Sequence, residues 1–77
     1  MNNTKFKVGD LIVLPYKNTS AFDYDDYGIV FKVEAAGKDF EELIHYHIYW
    51  AIDQTDTIEE DTWAEENMEL VARASNN

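Results

Sequence analysis

An all-β fold, a small and strongly bent antiparallel barrel of about five short strands, is what this sequence predicts. Three observations carry the prediction. The first is the stretch Leu43 to Ile52, β-branched and aromatic almost throughout, with no Gly, Pro or charged carboxylate or amine. Such residues suit a pleated surface and resist a helix. The second is its period of two, which sets Ile44, Tyr46, Ile48 and Trp50 against Leu43, His45, His47, Tyr49 and Ala51. The third is the spacing of turn residues, which cuts the rest of the chain into short apolar runs.

In chain order, residues 1 to 4 read as a polar tail. Lys7-Val8-Gly9-Asp10 reads as a turn, because Gly admits unusual backbone angles and Asp bonds its own backbone. Leu11 to Leu14 follows as a strand with Leu11 and Val13 assigned to the core, and Pro15 ends it. Residues 16 to 27 form a long loop rich in Asn, Thr, Ser and Asp, which favour local side-chain bonds. Gly28 to Glu34 is the second strand, with Ile29, Phe31 and Val33 on its core face. Ala35 to Asp39 is a turn, so residues 28–34 and 42–51 make a hairpin. Asp53 to Asp61 is a loop with a short strand near Thr57-Ile58, Thr62-Trp63-Ala64 a further strand, and Ala64 to Met68 a single helical turn. Glu69-Leu70-Val71 closes the barrel. The expected core is Val8, Leu11, Val13, Ile29, Phe31, Val33, Ile44, Tyr46, Ile48, Trp50, Leu70 and Val71.

The 77 residues suffice for one domain, ordered from about residue 5 to 72. With no cysteine, a disulfide framework and a thiolate metal site are both excluded. No apolar run approaches the roughly 18 residues of a membrane span, and the N-terminus lacks a signal-peptide core. A soluble cytoplasmic protein is therefore expected. Sixteen acidic residues against six basic ones give a formal net charge of −10. From Asp39 to Ala72 there are eleven carboxylates and no Lys or Arg. Such a surface repels phosphate backbones, so direct nucleic-acid binding is not expected and a basic protein partner is.

The strings Lys7-Val8-Gly9-Asp10-Leu11-Ile12, Tyr27-Gly28-Ile29-Val30, Tyr46-His47-Ile48-Tyr49-Trp50 and Met68-Glu69-Leu70-Val71 together resemble small SH3-like barrel proteins. Many of those are encoded by tailed bacteriophages and marine viruses, mostly without an assigned function. The resemblance implies a barrel over residues 6 to 71, and a place in host cytoplasm or virion if the source is viral. It implies little about activity. Ala21 to Asp25 also looks like the aromatic-acidic motif of eukaryotic SH3 domains. There it precedes the Lys-Gly-Asp turn, whereas here it follows Gly9-Asp10, so a proline-peptide site is not carried over.

Two surfaces stand out as candidate sites. Tyr16, Phe22, Tyr24, Tyr27, Tyr49 and Trp63, with Asp23, Asp25 and Asp26 nearby, suit an aromatic-acidic groove for a protein partner. The same rings would otherwise cap the barrel ends. Asp53, Asp56, Glu59, Glu60, Asp61, Glu65 and Glu66, with Glu69, form an acidic face that is either solvated or a mimic of a phosphate backbone. His45 and His47 share a strand face, yet only carboxylates could complete a metal site, so no metal is assigned. Asp23, Asp25, Gly28 and Glu34 match four positions of a calcium loop, but Gly28 to Glu34 is needed as a strand. No nucleophile elbow, phosphate loop or zinc-protease motif is present, so neither an enzyme nor a cofactor is expected. The expected function is a non-enzymatic protein-binding or assembly module. An acidic decoy for a nucleic-acid-binding protein and a self-associating structural component are the alternatives.

Overall fold

The computed structural model describes residues 4–18, 23–36 and 43–74. It contains β1 (Leu11–Leu14), a 3-10 turn (Tyr16–Asn18), β2 (Asp26–Ala36), β3 (Leu43–Trp50), β4 (Thr55–Glu60), α1 (Asp61–Asn67) and β5 (Glu69–Ala72). All four strand pairs are antiparallel and the order is β4-β3-β2-β1-β5. A four-strand meander with the last strand returned beside the first is the antiparallel, five-stranded all-β fold the sequence predicts. β4 and β5 stand at the two edges, and no ladder joins them among the described residues.

β3 follows its period without exception. Ile44, Tyr46, Ile48 and Trp50 are buried and the residues between them are not. Tyr46, Ile48 and Trp50 meet Phe6, Ile12, Leu14, Val30, Ala64 and Met68 in one core cluster. Phe6 sets its ring edge against Tyr46, with centroids 5.4 Å apart. It belongs to the core, where Val8 was expected; Val8 is exposed.

β2 departs from the expected pattern at one residue. Val30 pairs with Ile48 and Lys32 with His47, which leaves Phe31 as an extra residue in a bulge. The bulge reverses the alternation. Gly28 and Val30 face inward before it, and Val33 packs on the core after it. Ile29 (41% exposed) and Phe31 (46%) therefore lie outside, not in the core as expected.

In β1 the inward residues are Ile12 and Leu14. Leu11 is only partly covered, while Val13 is buried on the other side of the strand. Leu70 and Val71 of β5 are exposed as well, so their expected core places go to Ala64 and Met68. Ala64 lies on α1 and Met68 caps it four residues on, donating its N–H to the Ala64 carbonyl, so the two share one face. Packing of that face turns Thr62-Trp63-Ala64 into helix, overriding the expected strand, and the fourth strand is Thr55–Glu60 instead.

A buried ion pair ties the lead-in to β1 to the segment after β5, two neighbouring strands that lie far apart in sequence. Asp10 is fully buried. Its Oδ2 accepts from the Lys7 N–H at 2.8 Å and from an Arg73 guanidinium N–H at 2.9 Å, and its Oδ1 accepts from Arg73 Nε at 3.0 Å. Arg73 also donates to the Lys5 carbonyl at 3.0 Å. Gly9, at φ +97°, closes the preceding turn and donates to the Val30 carbonyl at 2.7 Å.

Candidate functional site

The bulge gives the sheet an apolar outer surface. Tyr27, Ile29 and Phe31 of β2 lie outward beside Tyr49 of β3, which pairs with Ile29. Leu11 continues the row on the other side of Ile29. Phe31 meets the His47 ring edge-on at 5.9 Å. Where this surface reaches the loop after β1, a cavity of about 390 Å³ opens, lined by Val13, Pro15, Tyr16, Lys17, Asp25, Tyr27 and Glu69. The Tyr16 N–H donates to Asp25 Oδ1 at 3.0 Å, which holds the two sides of the loop together.

Of the six aromatic residues expected to contact a partner, Tyr16 and Tyr27 line this cavity and Tyr49 shares their sheet face. Tyr24 lies near another group of carboxylates. Its phenol is made less acidic by burial, then by the charges of Asp53, Asp26 and Asp23. Trp63 rides on α1, which with the following Met68 covers the inner face through Ala64, so it is not part of the outer surface. Phe22 lies outside the described residues. Ile29 and Phe31 are the outer-surface residues that sequence periodicity assigns to the core.

The expected acidic face is divided among several surfaces. Asp56 and Glu60 pair with the outward Tyr49 and His45, whereas Glu59 pairs with buried Tyr46. Asp61, Glu65 and Glu66 belong to α1, and Asp53 to the turn after β3. Glu65 serves the core: its Oε2 accepts from the Tyr46 hydroxyl at 2.7 Å, and that hydroxyl oxygen accepts from the Phe6 N–H at 3.3 Å. Burial, reinforced by the bond to Glu65, pushes the Tyr46 phenol up to about 12. Because this folded value lies above the unfolded one near 10, the stability it brings is present below pH 10 and lost as pH rises through 12. In an ultraviolet titration a late tyrosinate step near pH 12 is expected, and Tyr46→Phe is expected to remove it. The same variant strands the Phe6 N–H and is expected to cost about 1–2 kcal/mol in urea unfolding.

His47 Nε2 lies 2.8 Å from Glu34 Oε1, and Lys32 stands 3.9 Å from the same oxygen. Among the described residues no three His, Asp or Glu side chains converge on a metal position. The four calcium-loop positions are dispersed, since Asp25 holds Tyr16 and Gly28 faces the core. No helix among the described residues is long and apolar enough to cross a membrane. Comparison with protein-family models, with curated proteins and with solved structures found no match.

Proposed function

We propose that this chain is a non-enzymatic protein-binding module whose outer β2–β3 surface takes a partner segment carrying apolar and basic side chains. The observation that carries the reading is the row Tyr27, Ile29, Phe31 and Tyr49, half-exposed and continuous with the Tyr16–Tyr27 cavity. Aromatic and aliphatic side chains gathered on one face supply the buried anchors of an interface. Asp25 and Glu69 in the cavity, Asp56 and Glu60 on the adjoining β4, and a net charge of −10 favour a basic partner. The same charge opposes pairing of two copies through this face. We place the chain with the small SH3-like barrels, with a viral source as the corresponding expectation.

The decoy alternative needs carboxylates in one rank, and here they are spread over both faces of β4 and over α1. The two readings separate in a capture experiment with tagged wild type and a Tyr16→Ala/Tyr27→Ala variant, eluting with salt and then with duplex DNA. The module reading expects the captured partner to withstand DNA and to be lost from the variant, whose circular dichroism stays that of the wild type. A partner released by DNA and retained equally by the variant overturns it in favour of the decoy.

A further inference from the structure

We propose that a second cavity, at the inner rim of the sheet, binds the guanidinium group of an organic cation between Asp26, Asp53 and the Trp50 ring. The cavity measures about 200 Å³ and lies away from the outer surface, on the side that Trp50 and Leu14 share with the core. It therefore does not rest on the proposed partner surface. Three carboxylates line it, from Asp26, Asp53 and Glu59, and no Lys, Arg or His does.

One of the three is left unsatisfied inside the protein. Asp26 is 5% exposed, and its Oδ1 has no hydrogen-bond partner among the described residues. A buried carboxylate oxygen without a donor is costly, and sites that keep one commonly use it. No neighbouring group among the described residues supplies the missing donor. Trp50 Nε1–H donates to Thr57 Oγ1 at 2.8 Å, and the Thr57 hydroxyl donates to Glu59 Oε2 at 2.8 Å. These bonds commit both donors to Thr57 and Glu59, and Asp26 Oδ1 is left without one. Burial, then the charge of Asp53, raises the proton affinity of Asp26. A cation would relieve both effects.

The geometry favours guanidinium over other cations. No converging set of ligands for a bare metal ion is present among the described residues, and the space exceeds what a single ion fills. A flat, weakly hydrated cation suits an indole wall and two carboxylates better than a compact ammonium does. Binding should strengthen as pH rises and Asp26 ionises, against a background set by Asp53 of the turn, Glu59 of β4 and nearby Tyr24.

The test is a titration of the whole labelled chain with methylguanidinium chloride, followed by amide and indole N–H resonances at constant ionic strength. Saturable shifts are expected at Asp26, Asp53, Thr55 and the Trp50 indole, with affinity falling about tenfold in Asp26→Asn. That variant removes a buried charge, so its melting temperature is expected to hold or rise, which separates lost binding from lost fold. Linear shifts without saturation, or an Asp26→Asn titration identical to wild type, would overturn the proposal. So would methylammonium binding as tightly as methylguanidinium. A parallel arm with acetyl-Gly-Arg-Gly-amide assigns the source. Binding of the peptide points to a protein-borne arginine, and binding of methylguanidinium alone to a free small guanidine. Tyr16→Ala/Tyr27→Ala should leave these titrations unchanged, so the outer surface and the inner cavity succeed or fail separately.

Discussion

Replacing Gly28 with alanine is expected to destabilise the domain by about 2 kcal/mol, a fall of ~10 °C in Tm. Gly28 sits on the inner side of β2, under the two largest inward side chains of the C-terminal half of β3. An added Cβ would lie 2.6 Å from Ile48 Cγ2, 2.9 Å from Trp50 Cε3 and 3.1 Å from the Tyr49 carbonyl oxygen. None of these can move freely. Ile48 is fully buried, Trp50 is nearly so and holds Thr57 through its indole, and the carbonyl belongs to the β2–β3 pairing. Valine at the same position adds two more methyl groups and is expected to leave no cooperative transition. A double-mutant cycle identifies the cause. Ile48→Ala deletes the closest atom, so Gly28→Ala combined with it should cost less than the sum of the single changes. Additive costs would place the strain elsewhere.

The second large effect is expected at Arg73. Among the described residues, Arg73→Met removes the only side-chain cation bonded to the buried Asp10 carboxylate and leaves it with the Lys7 N–H. An uncompensated charge of that kind costs about 3 kcal/mol, the lower end for broken buried pairs because Arg73 itself reaches solvent. The effect should depend on pH in a defined direction. Burial raises the proton affinity of Asp10, but the bonds from Arg73 and from the Lys7 N–H, with their positive charges, outweigh it and hold the carboxyl below its ordinary 3.8. A group depressed on folding stabilises the fold above its unfolded pKa, and that stability is lost as pH falls through the folded value. In Arg73→Met burial prevails, the carboxyl moves up, and protonation relieves the variant. Urea unfolding at pH 7 and near pH 4 should therefore show the gap between wild type and variant narrowing in acid. A gap that stays constant would mean that the pair acts through packing of the arginine stem and not through its charge.

The parts of this fold that the sequence reveals are those where one face is forced. β3 alternates large apolar residues with histidines and tyrosines, and only one parity buries the larger set. Its pairing with β2 was legible from the turn residues between two apolar runs, but the inward face of β2 was not. β1 reads Leu-Ile-Val-Leu, which offers either parity. The choice falls to Ile12 and Leu14 because the buried Asp10 shares their alternation and is fixed by Arg73, a partner 63 positions away. The bulge at Phe31 carries no local mark such as glycine, so simple alternation sends Ile29 and Phe31 to the wrong side. That one extra residue also hid the outer surface, since two of its four central side chains are the misplaced ones. Tyr16, Tyr27 and Tyr49 were recognisable as exposed aromatics on or beside strands. The inner cavity was not, because it depends on Asp26 starting a strand and Asp53 reaching it across a turn. α1 was half legible: Ala64 and Met68 have helical spacing, but Thr-Trp-Ala before them reads as strand until the core claims Ala64.

The pairing of Asp10 with Arg73 has a consequence for how the chain is made. β2, β3 and β4 are neighbours in sequence, so a growing polypeptide can assemble them as each hairpin is completed. β1 is different. One of its flanks waits for β5, and the carboxylate that leads into it waits for an arginine synthesised 63 residues later. Until residue 73 has been added, Asp10 lacks its guanidinium partner, and the β1–β5 side of the sheet stays incomplete. Completion of this domain is thus tied to synthesis through Arg73, and a nascent chain halted before Asp61 would present the meander with its apolar inner layer uncovered by α1.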